Sequence, residues 1–208
     1  MLIVSLFGGF SLQFHDALLT LPSHGSRSLL SYCAAYADRL HTRAYLAGLF
    51  WPDVPEATAR RRLSHALWEI GQALPLVQGA AYLTREAGAI GFNCQLPHAI
   101  DLADFEQAWR RAQKSGNMTS ARPHLEQAAA LYTGDFLTGF YDDWVLVEQE
   151  RLREIYLQVL QRLIDAEKRA GDFEAGLRAA LALIAADPLR ETAYREAMRL
   201  YGLMGRVQ

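Results

Sequence analysis

The most regular hydrophobic pattern in the chain lies between residues 55 and 74. At about 100° per residue its apolar positions fall within one arc, as the buried stripe of an amphipathic helix does. These positions are Ala59, Leu63, Ala66, Leu67, Ile70 and Leu74. The opposite arc holds Arg61, His65, Trp68 and Gln72, with Thr58, Arg62 and Glu69 at its edges. The pattern therefore predicts a helix with one buried side and a side rich in groups that form hydrogen bonds.

The chain before this helix changes from an alternating pattern to a helical one. Short apolar runs predict a small antiparallel sheet. They lie at residues 2–6, 10–14 and 18–21. Residues 26–40 have a helical period, and Thr42 is a candidate cap for a second helix over Arg43–Phe50. Pro52 then separates the second helix from the third.

A β-hairpin is predicted after the third helix. The segments at 82–85 and 90–92 flank a short polar tip at 86–89. A sheet, three helices and a hairpin, in this order, predict a winged helix-turn-helix with an N-terminal antiparallel sheet. The first domain is therefore expected to cover residues 1–97. Residues 96–98 mark its end, because the hydrophobic pattern of the chain after them has a helical period throughout.

The second domain, residues 98–208, is predicted to be all-α. Asp101 or Asp104 is a candidate cap for its first helix. Further helices are predicted at about 119–132, 144–170, 173–186 and 189–204, with a packed loop at 134–141. Gly171 and Gly205 are 34 residues apart, which is the period of tetratricopeptide helix pairs, and a plain helical bundle is the alternative.

The predicted repeat ends before its last helix pair is complete. The chain stops at Gln208, just past the turn that would lead into the second helix of that pair. A helix pair buries its apolar side against its neighbour. We therefore expect the second domain to be truncated at its C-terminal end, with either self-association through the last helix or a longer natural chain.

Composition narrows the function classes without naming one. The net charge is -2, divided into +1 up to residue 97 and -3 after it, so binding to DNA would have to come from clustered arginines. The two cysteines have no motif spacing, and no signal peptide or membrane-spanning run is present. We expect a cytoplasmic protein without membrane association. No phosphate loop, nucleophile motif or metal-ligand spacing is found, so no enzyme activity, metal or cofactor is expected.

Ten residues are candidates for contact with DNA, and several of them have a simpler interpretation. They are Arg27, Arg43, Arg60, Arg61, Arg62, Ser64, His65, Trp68, Gln72 and Arg85. Arginines near helix starts can bind phosphates or be solvated charges. His65 can contact a base or phosphate or be an uninvolved surface histidine. Trp68 can contact a base or a partner, or fold against a neighbouring element. The third helix as a whole can be a core helix with a polar outer side.

Several spaced motifs resemble one bacterial family. Residues 2–13, 21–23 with 29–32, 49–53 and the helix from Ala59 are similar to the OmpR-type DNA-binding domain of SARP-type transcriptional activators. Similarity to the bacterial transcriptional activator domain of that family is carried by residues 101–106, 132–137, 150–153 and 187–191. The match covers nearly the whole chain. The chain departs from the family's pattern at residues 68–71, where members commonly carry basic residues.

The resemblance implies a function and partners. In that family the third helix lies in the major groove, the hairpin contacts the flanking minor groove or phosphates, and the helical domain mediates dimer contacts and recruits RNA polymerase. The expected function is a sequence-specific transcriptional activator. Its expected partners are double-stranded DNA, RNA polymerase and a second copy of the chain. The alternative is a tetratricopeptide-like adaptor that binds protein and whose winged helix no longer binds DNA.

Overall fold

The computed structural model describes residues 1–86 and 88–205, and the side chains of Arg85 and Glu86 are outside that description. The strands are β1 Leu2–Ser5, β2 Ser11–Phe14, β3 Ala17–Leu19, β4 His41–Thr42, β5 Leu83–Glu86, β6 Ala89–Phe92 and β7 His98–Ile100. The helices are α1 His24–Ala35, α2 Arg43–Phe50, α3 Glu56–Ala73, α4 Asp101–Lys114, α5 Met118–Leu131, α6 Asp143–Ala170, α7 Phe173–Ala186 and α8 Glu191–Leu203.

The chain folds into two compact units. The winged-helix unit comprises Met1–Ala103 together with Leu137–Val145, and the helical unit comprises Asp104–Phe136 and Leu146–Gln208. The predicted end of the last repeat at Gln208 lies outside the described residues. The chain thus leaves the winged-helix unit within α4 and returns to it for nine residues before α6 continues into the helical unit.

The N-terminal sheet has four strands in the order β3-β2-β1-β7. The antiparallel pairing of the first three strands is confirmed. The fourth strand, β7, pairs in parallel with β1, so the prediction that only helices follow residue 97 is wrong. A strand of three residues is too short to show a period of two, and its neighbour β1 lies about a hundred residues earlier in the chain.

Helices α1, α2 and α3 form the core of the helix-turn-helix. The predicted bounds of α2 are confirmed, and the side chain of Thr42 caps it by accepting the N–H of Tyr45 at 3.2 Å. The whole predicted apolar stripe of α3 is buried. In contrast, α1 ends at Ala35, and Leu40 is 60% exposed, so the predicted extension of α1 to residue 40 is wrong.

A three-stranded sheet in the order β4-β6-β5 forms the wing. The hairpin of β5 and β6 is confirmed, and its predicted tip includes Ala87, which lies outside the described residues. The short strand β4 explains why α1 stops early, because the chain must turn to pair with β6. Gly91 permits this turn: a Cβ at this position would lie 2.6 Å from the Leu40 side chain and 2.9 Å from the Arg39 carbonyl oxygen.

The loop Leu137–Val145 packs inside the winged-helix unit. The Leu137 N–H donates to the Leu6 carbonyl at 2.7 Å, and Leu137 and Val145 are fully buried. The Phe140 ring lies 6.4 Å from that of Phe10, between ring centroids. The Trp144 ring lies 5.0 Å from that of Tyr32 on α1. This loop therefore supplies part of the core beneath the helix-turn-helix, and the packed loop predicted at 134–141 is confirmed.

The helical unit is a tetratricopeptide-like array. Gly171 and Gly205 adopt positive φ angles of 77° and 67° at the ends of α6 and α8, which gives the predicted 34-residue offset a structural counterpart. Helices α7 and α8 pack closely because α7 carries Gly176, whose Cβ position would lie 3.3 Å from Leu200. Arg122, near the start of α5, forms ion pairs with Glu167 near the end of α6 at 2.9 Å and with Asp172, the cap of α7, at 3.5 Å.

Candidate nucleic-acid interface

The outer face of α3, defined by Arg61, His65, Trp68 and Gln72, is exposed along its length. The buried stripe on the opposite side fixes the rotation of the helix about its axis. The helix begins after Pro55, which occupies the capping position, and Glu56 lies in the first turn, where a carboxylate is favoured by the helix dipole. The fold therefore presents these four side chains together, as the sequence pattern predicts.

Three consecutive arginines lie at the start of this helix, and each has different surroundings. Arg60 is exposed and forms an ion pair with Glu56, one turn earlier. Arg61 donates to the Thr58 hydroxyl at 3.2 Å. Arg62 lines a shallow cavity of about 280 Å³ together with Ser23, Gly25, Trp51, His65 and Ala66. Arg60 is thus already partly neutralised, whereas Arg61 has only a neutral partner in its hydrogen bond to Thr58.

Two further arginines lie near helix starts in the same unit. Arg43, the first residue of α2, donates to the Ser64 hydroxyl of α3 at 2.7 Å, and Ser64 in turn donates to the Arg60 carbonyl at 2.9 Å. Arg27 lies in α1 and is exposed. The structure thus brings Arg43 and Ser64 together beside the arginine cluster. Arg85 lies in β5, and its side chain is outside the described residues.

Glu69 points inward, although the helical period places it at the edge of the outer face. Its residue is buried, and its carboxylate accepts a hydrogen bond from the Ser23 hydroxyl. The same carboxylate lies 3.5 Å from Nδ1 of His65. Ser23 is also the cap of α1, where its side chain accepts the N–H of Ser26 at 3.1 Å. The negative charge of Glu69 is therefore withdrawn from the outer face and held between α1 and α3.

Trp68 is 57% exposed, so it does not fold against a neighbouring element. The His65 ring lies 5.7 Å from it, between ring centroids. The described polar side chains flanking Trp68 along the outer face, His65 and Gln72, are not permanently charged. Trp51 is only half buried and covers Gly25 at the start of α1.

Sequence reasoning did not identify Ser23 and Glu69 as a pair that positions this surface. The two residues are 46 positions apart in the chain. Nothing about a serine at position 23 or a glutamate at position 69 indicates that their side chains are in contact. The cap before α1 was the only available signal, since serine is favoured there. Across residues 1–86 and 88–205, no cluster of metal-binding side chains occurs and no helix could cross a membrane.

A short helix, a turn and an amphipathic helix with an exposed polar face, flanked by a three-stranded wing, define a winged helix-turn-helix protein. The helical array that follows it is tetratricopeptide-like. The family model described as bacterial transcriptional activator domain matches residues 100–208. The chain belongs to this family, as a SARP-type regulator, and the resemblance drawn from its motifs is confirmed.

Two curated relatives are regulatory proteins. The chain is 28% identical over 176 residues to the regulatory protein AfsR of Streptomyces coelicolor, and 27% identical over 177 residues to that of Streptomyces griseus. These alignments cover 83% and 84% of this chain but only 17% and 18% of the relatives. The chain thus spans less than a fifth of the length of these relatives.

A solved structure has the same fold. Mycobacterium tuberculosis EmbR, described in complex with a low affinity phosphopeptide, superimposes with a TM-score of 0.78. The superposition covers 99% of this chain and 55% of the EmbR chain, at 19% sequence identity. At this identity the similarity establishes the architecture, a winged helix with an N-terminal sheet followed by a helical domain, as predicted.

Proposed function

We propose that this chain is a sequence-specific DNA-binding activator of transcription that acts in the bacterial cytoplasm by binding rather than by catalysis. The proposal assigns DNA binding to the first domain, predicted as residues 1–97, and contact with RNA polymerase to the second, predicted as residues 98–208. One observation supports it most: the outer face of α3 carries exposed arginines at its start, and its one central carboxylate, Glu69, is turned inward. A helix of this kind fits the major groove.

The first test measures the dependence of binding on salt. DNA bound by the chain is selected from a random-sequence library, and its affinity is then measured by fluorescence anisotropy at several salt concentrations. With about four arginines near phosphates, log K should fall with log salt at a slope of about -3 to -4 per protomer. Binding to unselected DNA should be weak. A flat salt dependence would remove the phosphate contacts from the proposal.

The second test separates base contact from phosphate contact. Arg61→Ala should weaken binding by about 1–3 kcal/mol and relax the preference at one base pair, because a guanidinium can bond guanine at two atoms. Arg60→Ala should weaken all sequences alike. Since Arg60 is paired with Glu56, Glu56→Gln should free its charge and strengthen binding to all sequences.

Two controls keep this test interpretable. Arg195→Ala removes an arginine of the same kind, exposed and paired one turn away with Glu191 on α8, and should leave DNA binding unchanged. Leu63→Ala creates a cavity beneath the buried stripe of α3 and should lower the free energy of unfolding by about 2–5 kcal/mol. Trp68→Ala, at the centre of the outer face, is measured alongside them. If Arg60→Ala, Arg61→Ala and Trp68→Ala all fold and bind DNA as the native chain does, α3 is not the helix that contacts the bases.

The alternative function is an adaptor that binds protein and not DNA. This alternative is favoured by the second half of the outer face, where Trp68 and Gln72 occupy positions at which basic side chains would bind phosphates. The two functions differ in whether any DNA is selected. If DNA is selected, its complex with the chain should retain RNA polymerase on the template. Self-association of the chain on DNA should appear as two protomers bound per site. Failure to select any sequence would favour the adaptor.

A further inference from the structure

The indole of Trp68 is the largest apolar group on the outer face of α3. It is 57% exposed, which is unusual for tryptophan, since burying such a ring in contact with another surface is favourable. On the helix it follows Arg61 by seven residues, or about two turns, so both side chains project in nearly the same direction. A helix that places Arg61 at base edges therefore also places Trp68 there, about 10 Å further along the groove.

The structure holds this indole outward. The buried stripe fixes the rotation of α3, and the hydrogen bond from Ser23 to Glu69 ties the adjacent residue to the start of α1. The Glu69 carboxylate lies 3.5 Å from Nδ1 of His65, and the imidazole lies beside the indole, with 5.7 Å between ring centroids. The neighbouring carboxylate is thus hydrogen-bonded and buried, and the indole lies next to the polar side chains of His65 and Gln72 on the outer face.

An indole has limited means of reading a base pair. It can donate one hydrogen bond through Nε1 and otherwise offers an apolar surface. In the major groove the apolar group is the 5-methyl of thymine, whereas the other base edges present donors and acceptors that require polar partners. An apolar ring facing polar edges would leave them desolvated without bonds, which is unfavourable.

We infer that Trp68 packs against a thymine 5-methyl group, so that the second half of α3 selects an A·T base pair by apolar contact. This inference rests on the proposed function, because it requires α3 to lie in the major groove. It divides the outer face into two parts. Arg61 reads one base pair by hydrogen bonds. Trp68, about two helical turns further along α3, reads a second base pair through the methyl group of its thymine.

The test uses deoxyuridine, which lacks only the 5-methyl group of thymidine. Each thymine of the selected duplex is replaced singly, and the affinity of the native chain is measured by competition. Replacement at one or two positions should weaken binding about fourfold, the effect of one buried methyl group. Trp68→Ala should bind the thymine and uracil duplexes equally, and Trp68→Leu, which restores an apolar side chain, should recover part of the difference.

A loss of folding must be distinguished from a loss of contact with thymine, and the choice of Trp68 and of a control variant does this. Trp68 is exposed, so Trp68→Ala should melt within a few degrees of the native chain. Leu189→Ala removes another exposed apolar side chain, in the helical unit, and should retain the preference for thymine over uracil. The inference is overturned if the native chain is insensitive to every replacement, or if Trp68→Ala keeps the same sensitivity. If the native chain selects no DNA, the proposed function itself fails, and that outcome is distinct from both.

Discussion

Replacing Asp101 with alanine would test the contact between the end of β1 and the start of α4. The carboxylate accepts the N–H of Leu6 at 2.8 and 2.9 Å and the N–H of Phe7 at 3.0 Å. Leu6 and Phe7 are buried, so both N–H groups would lose the Asp101 acceptor in a region shielded from water. A buried donor that loses its partner costs about 1–3 kcal/mol, and bonds to a carboxylate lie toward the upper end. We expect the free energy of unfolding to fall by about 2–5 kcal/mol.

Urea unfolding followed by circular dichroism measures this loss, and hydrogen exchange locates it. Exchange at the amides of Leu6 and Phe7 should accelerate most. Asp101→Asn keeps one acceptor oxygen and should lose less. The control is Asp104→Ala, the other candidate cap of α4, which is exposed and should change stability by no more than about 0.5 kcal/mol. Equal stability of Asp101→Ala and Asp104→Ala would refute the reasoning.

Two other predictions concern the core of the winged-helix unit. Phe140→Ala should lower the free energy of unfolding by about 3 kcal/mol, because its buried ring packs against Phe10. Thermal melting should show no comparable change for Tyr141→Ala, whose side chain is exposed. Burial, and then the charge of Arg39, lower the pKa of His41. A histidine kept neutral in the fold contributes fully to the free energy of unfolding above its unfolded pKa of about 6.5. That contribution is lost as pH falls toward the folded pKa. Stability should therefore fall from pH 7 to pH 5 more steeply for the native chain than for His41→Phe, and equal slopes would contradict this.

The elements that sequence predicted well are those whose cause is local. The buried stripe of α3 follows from its own period, since each apolar residue contributes to one arc. The bounds of α2 follow from a capping threonine before it and Trp51-Pro52 after it. Neither depends on the rest of the chain. This is why the surface of α3 opposite the stripe was also placed correctly from the sequence.

The features that sequence missed depend on distant partners. Strand β4 has two residues and β7 has three, and each exists because another strand lies beside it. Asp101 bonds to amides 95 and 94 residues earlier in the chain, so its role as an acceptor for β1 is not visible locally. Glu69 is the most instructive case, since the helical period alone would leave its carboxylate on the outer face of α3. Only the position of Ser23 in the fold reverses that.

The winged-helix unit requires more of the chain than its own motif suggests. A fragment ending at residue 97 would omit β7, the carboxylate of Asp101 and the whole of Leu137–Val145. Leu137 adopts a φ of 45°, a conformation unfavourable for a side chain with a Cβ, yet its N–H bonds to Leu6 and its side chain is fully buried. Strain of that kind persists where the surrounding contacts outweigh it. The loop is therefore a component of the winged-helix core, and a fragment meant to retain the native helix-turn-helix must extend through Val145.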